Sequence, residues 1–479
     1  MGLLGFIKRR RAQGRPTNSR ASLERYMSRE PRRIPRSEHS ISRMDISRRA
    51  LKVVEDLQRA GHTAYLVGGC VRDLLIGRKP KDFDVVTDAT PQRIKDVFRY
   101  ARIIGRRFRI VHVPFGAEII ETATFRALPP EGGSEEVLLR DNVYGSERED
   151  ALRRDISINA LFYDPVSETI IDYVDGYRDI KNRLVRMIRD PRQSYTEDPV
   201  RMIRALKYRA TTGFDIEPAS YQPITELAGL IMECSTARVM EEIYKILRSG
   251  ASALTMDTLY HSSLLAHLAP EIASHLDAHG HDLASSPLGN RLTALDRLTS
   301  SGRIWTNGVL LAVLFSDIVP VSAHPPGGKN PPSDDRLLHD AAGILDPISR
   351  RMNFSRLNKE QLVRILTSQR KFANPAKKPP QALQAICRKE YFRDALDFFE
   401  IACLASGIST DDVAIWREVA VNLPRPGVQR RGVRVRRKGE ARPAEPKQAE
   451  NPAPSGETAP AKKKRRRGPR RRPRTDTAE

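Results

Sequence analysis

Six residues within LVGGCVRDLLIGRKPKDFDVVTD (66–88) have types and spacing suited to phosphate and metal chemistry: Gly68, Gly69, Arg72, Asp73, Asp82 and Asp84. Side chains alternate faces along a strand, so Asp82 and Asp84 share a face with Cα atoms about 7 Å apart. Two carboxylates so placed repel unless a cation sits between them. Oxygen ligands on a strand suit Mg²⁺, which keeps several waters and is completed by substrate phosphates. Gly68 and Gly69 lack a Cβ and let the backbone approach a polyphosphate closely. A helix starting there aims free N–H groups at the anion, and Arg72 on that helix adds positive charge. DxD alone is more often a solvated strand end; GGxxRD followed nine residues later by DxD is far more specific. The expectation is a nucleotide–metal site.

The elements that must position these residues are legible around them. ISRRALKVVEDLQRA (46–60) repeats apolar residues at helical spacing and stops at Gly61. AYLVGG (64–69) reads as a buried strand, CVRDLLIG (70–77) as a short helix, and FDVVTD (83–88) as a second strand. TPQRIKDVF (90–98) is a helix with Thr90 as N-cap and Pro91 at its first position. RIVHVPF (109–115) and EIIETATFR (118–126) are two strands joined by a tight turn. The fold class is therefore an α/β head, ending near residue 180. From Asp198 onward the pattern is almost wholly helical, with Asp198 the expected N-cap of PVRMIRALKYRATTG. SAHPPGGKNPPSDD (322–335) is a Pro/Gly-rich loop, and HLDAHGHDL (275–283) reads as a polar loop rather than a metal site.

Charge is concentrated at the ends. The 479-residue chain has a formal net charge of +23; residues 1–50 hold 14 Lys/Arg against 4 Asp/Glu, residues 426–479 hold 18 against 6, and the centre is nearly neutral. Basic arms on a neutral core suit a polyanionic partner, because they bind phosphate backbones by releasing counterions. The four cysteines are not spaced as CxxC, so neither a zinc site nor a disulfide framework is expected. No apolar run reaches membrane-span length, which points to a cytoplasmic protein with no membrane partner. The expected domains are 1–44, a disordered basic arm; 45–180, the head; 181–250, a helical neck; 251–425, a helical body; and 426–479, a disordered basic tail.

LVGGCVRDLLIGRKPKDFDVV resembles the signature of the class II nucleotidyltransferases, the tRNA CCA-adding enzymes and bacterial poly(A) polymerases. The resemblance runs over about residues 50–215. It implies a polymerase-beta-like head, followed by all-α neck and body domains. It also implies that EIIETATFR supplies a third carboxylate, Glu121, and a basic Arg126. DALRRDISINALFYD (150–164) is similar to the RRDxxxN motif, which assigns Asp155 to catalysis and Asn159 to the nucleotide. Four apart, these two would share a helix face. EDPVRMIRA (197–205) resembles the helix that selects the incoming base through Asp198 and Arg201. Asp73 joins Gly68, Gly69 and Arg72 as a nucleotide contact. The structural alternatives are an Asp155 ion pair with Arg154 or Arg126, Asp198 as a simple cap, and Glu121 as a surface strand residue.

IIGRRFRIVHVPFG (103–116) and LLRDNVYGSEREDALRRD (138–155) resemble the bacterial poly(A) polymerase branch. The implied reaction is transfer of AMP from ATP to RNA 3′ ends with two Mg²⁺ ions bound and pyrophosphate released, by a monomer with RNA-decay proteins as candidate partners. The alternatives are tRNA CCA addition and a catalytically inactive RNA-binding protein; the intact DxD argues against the second.

Overall fold

The computed structural model describes residues 26–105, 109–128, 143–278, 280, 282–319 and 333–423. The expected basic tail at 426–479, residues 1–25 of the expected arm, most of the 322–335 loop, His279 and His281 lie outside these residues.

Eight strands form one mixed sheet. In chain order they are β1 (Arg32–Ile34), β2 (Ala64–Val67), β3 (Asp84–Thr87), β4 (Arg102–Ile104), β5 (Ile110–Phe115), β6 (Glu118–Thr124), β7 (Phe162–Asp164) and β8 (Thr169–Asp172), and in space β1-β8-β7-β2-β3-β6-β5-β4. All neighbours are antiparallel except β3 and β6, whose parallel register sets Asp84 opposite Glu121. Both faces are covered. Along β2, Ala64 and Leu66 join the main core, whereas Tyr65 and Val67 pack with Phe125, Phe162 and Ile171 on the other face. That main core continues from Ile34 into the helical half as far as Trp416.

The helices around the sheet follow the sequence closely. α1 (Arg48–Arg59) buries Ala50, Val53, Val54 and Leu57 and starts at Ser47, whose hydroxyl accepts from Arg49 N. α2 (Gly69–Leu75) follows β2 directly. α3 (Pro91–Val97) has the expected Thr90 cap. α4 (Glu147–Arg153) carries a capping box between Ser146 and Glu149. α5 is Gly176–Lys181, α6 Pro191–Glu197 and α7 Val200–Thr212. α8 (Pro218–Leu227) and α9 (Thr236–Leu247) open the helical half. Among the described residues no helix is long and apolar enough to cross a membrane.

Four expectations are corrected. The arm 1–44 is not disordered throughout: β1 pairs with β8 and Ile34 is fully buried, as is Ile41. Arg29–Asp175 (2.9 Å) and Arg43–Glu55 (2.7 Å) tie the segment down. Its apolar residues are too sparse to show a period, and it gains order from the sheet edge beside it. Asp198 does not cap the next helix: Pro199 occupies the N-cap position of α7, and Asp198 closes α6. Asp155 and Asn159 do not share a helix face. α4 ends at Arg153, Ile156 bridges to Met187, and Asn159 closes a separate 3₁₀ turn, Ser157–Asn159. His275, placed in a loop from sequence, lies in the helix Pro270–Ala278.

Gly176 holds that 3₁₀ turn in place. A Cβ there would lie 2.2 Å from the Ser157 carbonyl oxygen, while Gly176 N donates to Asp172 Oδ1 at 3.0 Å. The obstacle is backbone and cannot rotate away. Gly176→Ala should therefore destabilise by about 1–3 kcal/mol. A urea unfolding midpoint equal to that of the parent protein, at unchanged slope, would refute this packing.

Candidate active site

The turn Gly68-Gly69 joins β2 to α2. Gly68 adopts φ 80°, ψ −129°, a backbone region that side chains avoid, and the Arg154 guanidinium lies 3.4 Å from where its Cβ would be. Glycine is therefore required for conformation, whereas a Cβ would meet the Arg154 tip only at ordinary contact distance. This turn forms one wall of an open cavity of about 430 Å³. Asp84 is a second wall, α4 brings Asp150 and Arg153 with Arg154 just after it, and α7 brings Arg201, Arg204 and Tyr208.

Of the residues expected from sequence, Gly68, Gly69, Asp84, Arg126, Asp155, Asn159, Asp198 and Arg201 line this one cavity. Asp82, Glu121, Arg72 and Asp73 do not. Asp82 precedes β3 and is exposed. Glu121, also exposed, stands across the ladder from Asp84, with His112 Nε2 3.5 Å from its carboxylate. Arg72 has partners inside the protein. Its guanidinium donates to Asp73 Oδ1 (2.7 and 2.9 Å) and Asn159 Oδ1 (2.7 Å) and lies 5.1 Å from the Tyr208 ring centroid. Buried there, it ties α2 to the 3₁₀ turn and to α7.

The carboxylates divide by environment. Asp84 keeps accessible surface but is hemmed in by protein. That crowding, with the Glu121 charge opposite and Asp82 nearby, pushes its carboxyl up to about 6, against the pull of Arg154. Asp155 is buried, which alone would raise its pKa; Arg204, at 2.5 Å, and Arg201 outweigh burial and hold it below the usual carboxylate range. The arginine partner of Asp155 is thus Arg204, neither Arg154 nor Arg126. Arg154 pairs instead with Asp150 at 2.8 Å, one helical turn away.

At the α7 end, Asp198 Oδ2 accepts from Arg238 at 2.7 Å, and its Oδ1 is buried without a hydrogen-bond partner. Arg201 donates to the Ser194 carbonyl at 3.1 Å and reaches Glu197. The Nδ2 of Asn159 is likewise buried and unpartnered. Asp150, Arg153, Arg204 and Tyr208 were not singled out as site residues from sequence. A signal for two of them existed: Arg201, Arg204 and Tyr208 follow i, i+3, i+7 spacing, one face of a helix. Among the described residues, no three His, Cys, Asp or Glu side chains converge as a ready-made metal site.

Known proteins resemble this chain in sequence and in fold. Residues 64–186 match the family model "Poly A polymerase head domain", and residues 213–276 match "Probable RNA and SrmB-binding site of polymerase A". Poly(A) polymerase I of Escherichia coli O6:H1 is 46% identical over 256 residues, covering 52% of this chain and 55% of the relative. A CCA-adding enzyme of Lactobacillus helveticus is 36% identical over 204 residues, 42% of this chain and 50% of the relative. The chain thus spans about half the length of the curated relatives it matches. The crystal structure of the Bacillus stearothermophilus CCA-adding enzyme in complex with CTP superposes with a TM-score of 0.52 at 22% identity, over 78% of this chain and 82% of that one, a likeness of fold. Over residues 64–186 the chain is thus similar to the head domain of poly(A) polymerases, and over about half its length to poly(A) polymerases and CCA-adding enzymes.

Proposed function

We propose that the protein is a polynucleotide adenylyltransferase that adds AMP from ATP to RNA 3′ ends. One observation carries the reading. A single cavity joins the glycine turn and Asp84 to Asp198 and Arg201, with an unpartnered buried acceptor at the Asp198 end. A nucleoside triphosphate has matching ends: anionic phosphates, and a base whose edge offers donors and acceptors. Arg126, Arg153 and Arg154 face the phosphate end, where the Gly68-Gly69 turn permits close backbone approach. Asp198 and Arg201 read the base edge, and Asn159 Nδ2 can donate to a ribose hydroxyl. The RNA 3′-hydroxyl oxygen forms a bond to the α-phosphorus, the bond to the β-phosphate oxygen breaks, and pyrophosphate leaves. The hydroxyl proton passes to solvent. The greater similarity to a poly(A) polymerase than to a CCA-adding enzyme, 46% against 36%, favours ATP as the sole nucleotide.

The residues at the end of β3 fit a divalent cation. Asp84 and Glu121 face each other across the ladder, and their repulsion contributes to the raised Asp84 pKa. Asp84 would hold Mg²⁺ together with Asp82 and Glu121, which do not converge on one point in this structure, and water and phosphate oxygens would complete the shell. When bound, the metal supplies Lewis acidity at the attacking and leaving oxygens.

The decisive experiment incubates the purified protein with an unstructured RNA and each nucleoside triphosphate in turn. A long ladder with ATP alone is expected; addition that stops after CCA on tRNA would establish the CCA-adding reaction instead. Asp84→Ala should abolish transfer, a loss of several kcal/mol of transition-state stabilisation, and unaltered turnover at saturating Mg²⁺ would remove Asp84 from the metal site. Arg201→Ala should lower the preference for ATP over CTP, measured as the ratio of kcat/KM values; an unchanged ratio would leave Arg201 a purely structural role.

A pH test addresses the same carboxylate without turnover. The Asp84 pKa is raised in the folded protein, so its contribution to stability is fully present below the unfolded value and is lost as pH rises through about 6. Without divalent cation, Asp84→Asn should raise Tm relative to the parent protein at pH 8 more than at pH 4. Added Mg²⁺ should raise the parent Tm at pH 8 and leave the variant unmoved. A difference in Tm that is the same at both pH values would show that Asp84 is not strained by its neighbours.

A further inference from the structure

A second cavity, of about 310 Å³, lies at the other end of α2: Gly69 at its first residue lines the candidate active site, and Leu75 at its last lines this one. The seven residues of this helix separate them by about 10 Å. Its floor is apolar, made by Leu75, Ile76, Ile180 and Phe214, and its rim carries Lys181 and Arg183. The two cations are exposed but held. The Arg183 guanidinium lies 5.1 Å from the Phe214 ring centroid and donates to the Gly213 carbonyl at 3.0 Å. Lys181 Nζ is 5.2 Å from the Tyr177 ring centroid, and the Arg32 guanidinium is 5.7 Å from the same ring. Aromatic faces thus fix three positive charges beside an apolar surface. None of the described residues lining this cavity is acidic, whereas four aspartates line the first.

That combination selects a ligand with one flat apolar part and one anionic part. A metal ion is excluded by the sign of the charge, and a purely apolar ligand leaves the cations unused. A guanidinium stacked on a ring still offers its outer face and remaining N–H groups to a base or a phosphate. We propose that this cavity binds one internal nucleotide of single-stranded RNA, with its base on the Ile76–Phe214 floor and its phosphate against Lys181 and Arg183. An RNA strand fits better than a free nucleotide because Lys181 and Arg183 sit on an exposed rim, whereas the nearby Arg32 is paired with Glu38 at 3.3 Å. Stacking on flat side chains beside backbone-tracking cations is the general mode of single-strand recognition, and here the Arg183 guanidinium over Phe214 offers the flat face. The inference rests on the RNA-directed activity proposed above and adds a place where the strand is gripped away from its 3′ end.

The test uses the full chain carrying Lys181→Glu together with Arg183→Gly. Arg183 has φ 55°, so glycine there introduces no backbone strain. The probes are a fluorescent long oligo(A) RNA, an oligo(A) trinucleotide, and free AMP and ATP. The parent protein should bind the long RNA and extend it; absence of both would end the RNA reading altogether and this inference with it. Given that, the double variant should bind the long RNA about tenfold more weakly. Its salt slope should fall by roughly 0.7 for each phosphate that the variant no longer neutralises. KM for ATP and kcat on saturating trinucleotide should be unchanged, and Lys181→Arg should retain full affinity. Equal affinity and equal salt slope for the long RNA in parent and variant would overturn the inference while leaving the transferase reading intact. Loss of AMP binding with RNA affinity unchanged would also overturn it, by making the cavity a free-nucleotide site.

Discussion

The arrangement depends on one ion pair. Asp155 sits in the loop after α4, its Oδ1 accepting from Ile156 N and its Oδ2 2.5 Å from Arg204 of α7. Arg204 is in turn 3.9 Å from Glu242 of α9, which Lys207 holds at 2.6 Å. The chain of charges runs from the sheet-bearing half through α7 into the helical half. Removing one partner of a fully buried pair costs about 3–5 kcal/mol; here Arg204 keeps 34% of its side-chain surface accessible, so solvent screens the pair and the cost is smaller. The pair also has a directional consequence. It sets the rotation of α7, and that rotation turns Arg201, Arg204 and Tyr208 together toward the glycine turn.

Much of this was legible in the sequence where one local pattern decided the outcome. Thr90 and Pro91 specify a helix start regardless of what packs on it. Gly68 and Asp84 were readable because only a backbone with positive φ and a charged strand end explain those residue types there. The failures share a cause. β1 and β4 have three residues each, too few for a period, and exist because β8 and β5 offer ladder partners. Asp155 and Asn159 have helical spacing, but the Ile156–Met187 bridge takes the chain out of the helix between them. An arginine just after a phosphate-binding glycine pair reads as a ligand contact. What also gives Arg72 a structural task is Asn159, 87 positions away, which no local window contains.

The charges around the cavity are therefore less available than their number suggests. Asp150, Asp155 and Asp198 are each engaged by an arginine, and Arg72 by Asp73 and Asn159. Such pairs keep the guanidinium planes oriented, so a ligand meets fixed donors in place of mobile side chains. Specificity by hydrogen bonding needs that rigidity. A site whose arginines can reorient accepts either a donor or an acceptor, whereas one whose arginines are held rejects the wrong base edge.

Among the cavity-lining residues, buried Asp198 Oδ1, Asn159 Nδ2 and Arg204 Nε lack a hydrogen-bond partner, and of the three Arg204 Nε lies against an opposite charge, Asp155 Oδ2 at 2.5 Å. That leaves Asp198 Oδ1 and Asn159 Nδ2. Leaving such a group unpaired costs about 1–3 kcal/mol. A fold that satisfies Asp150 and Asp155 nearby would have little reason to retain two exceptions in the same cavity, except where a ligand completes them. One is an acceptor and the other a donor, and both line the cavity that also holds Arg201 and the glycine turn. A nucleotide offers an exocyclic amine at one end and ribose hydroxyls near the other. Binding it relieves both deficits at once, and a ligand lacking either group leaves one of them unmet. On the function proposed here, the cavity would discriminate through the groups that the protein leaves unsatisfied as much as through those it holds in place.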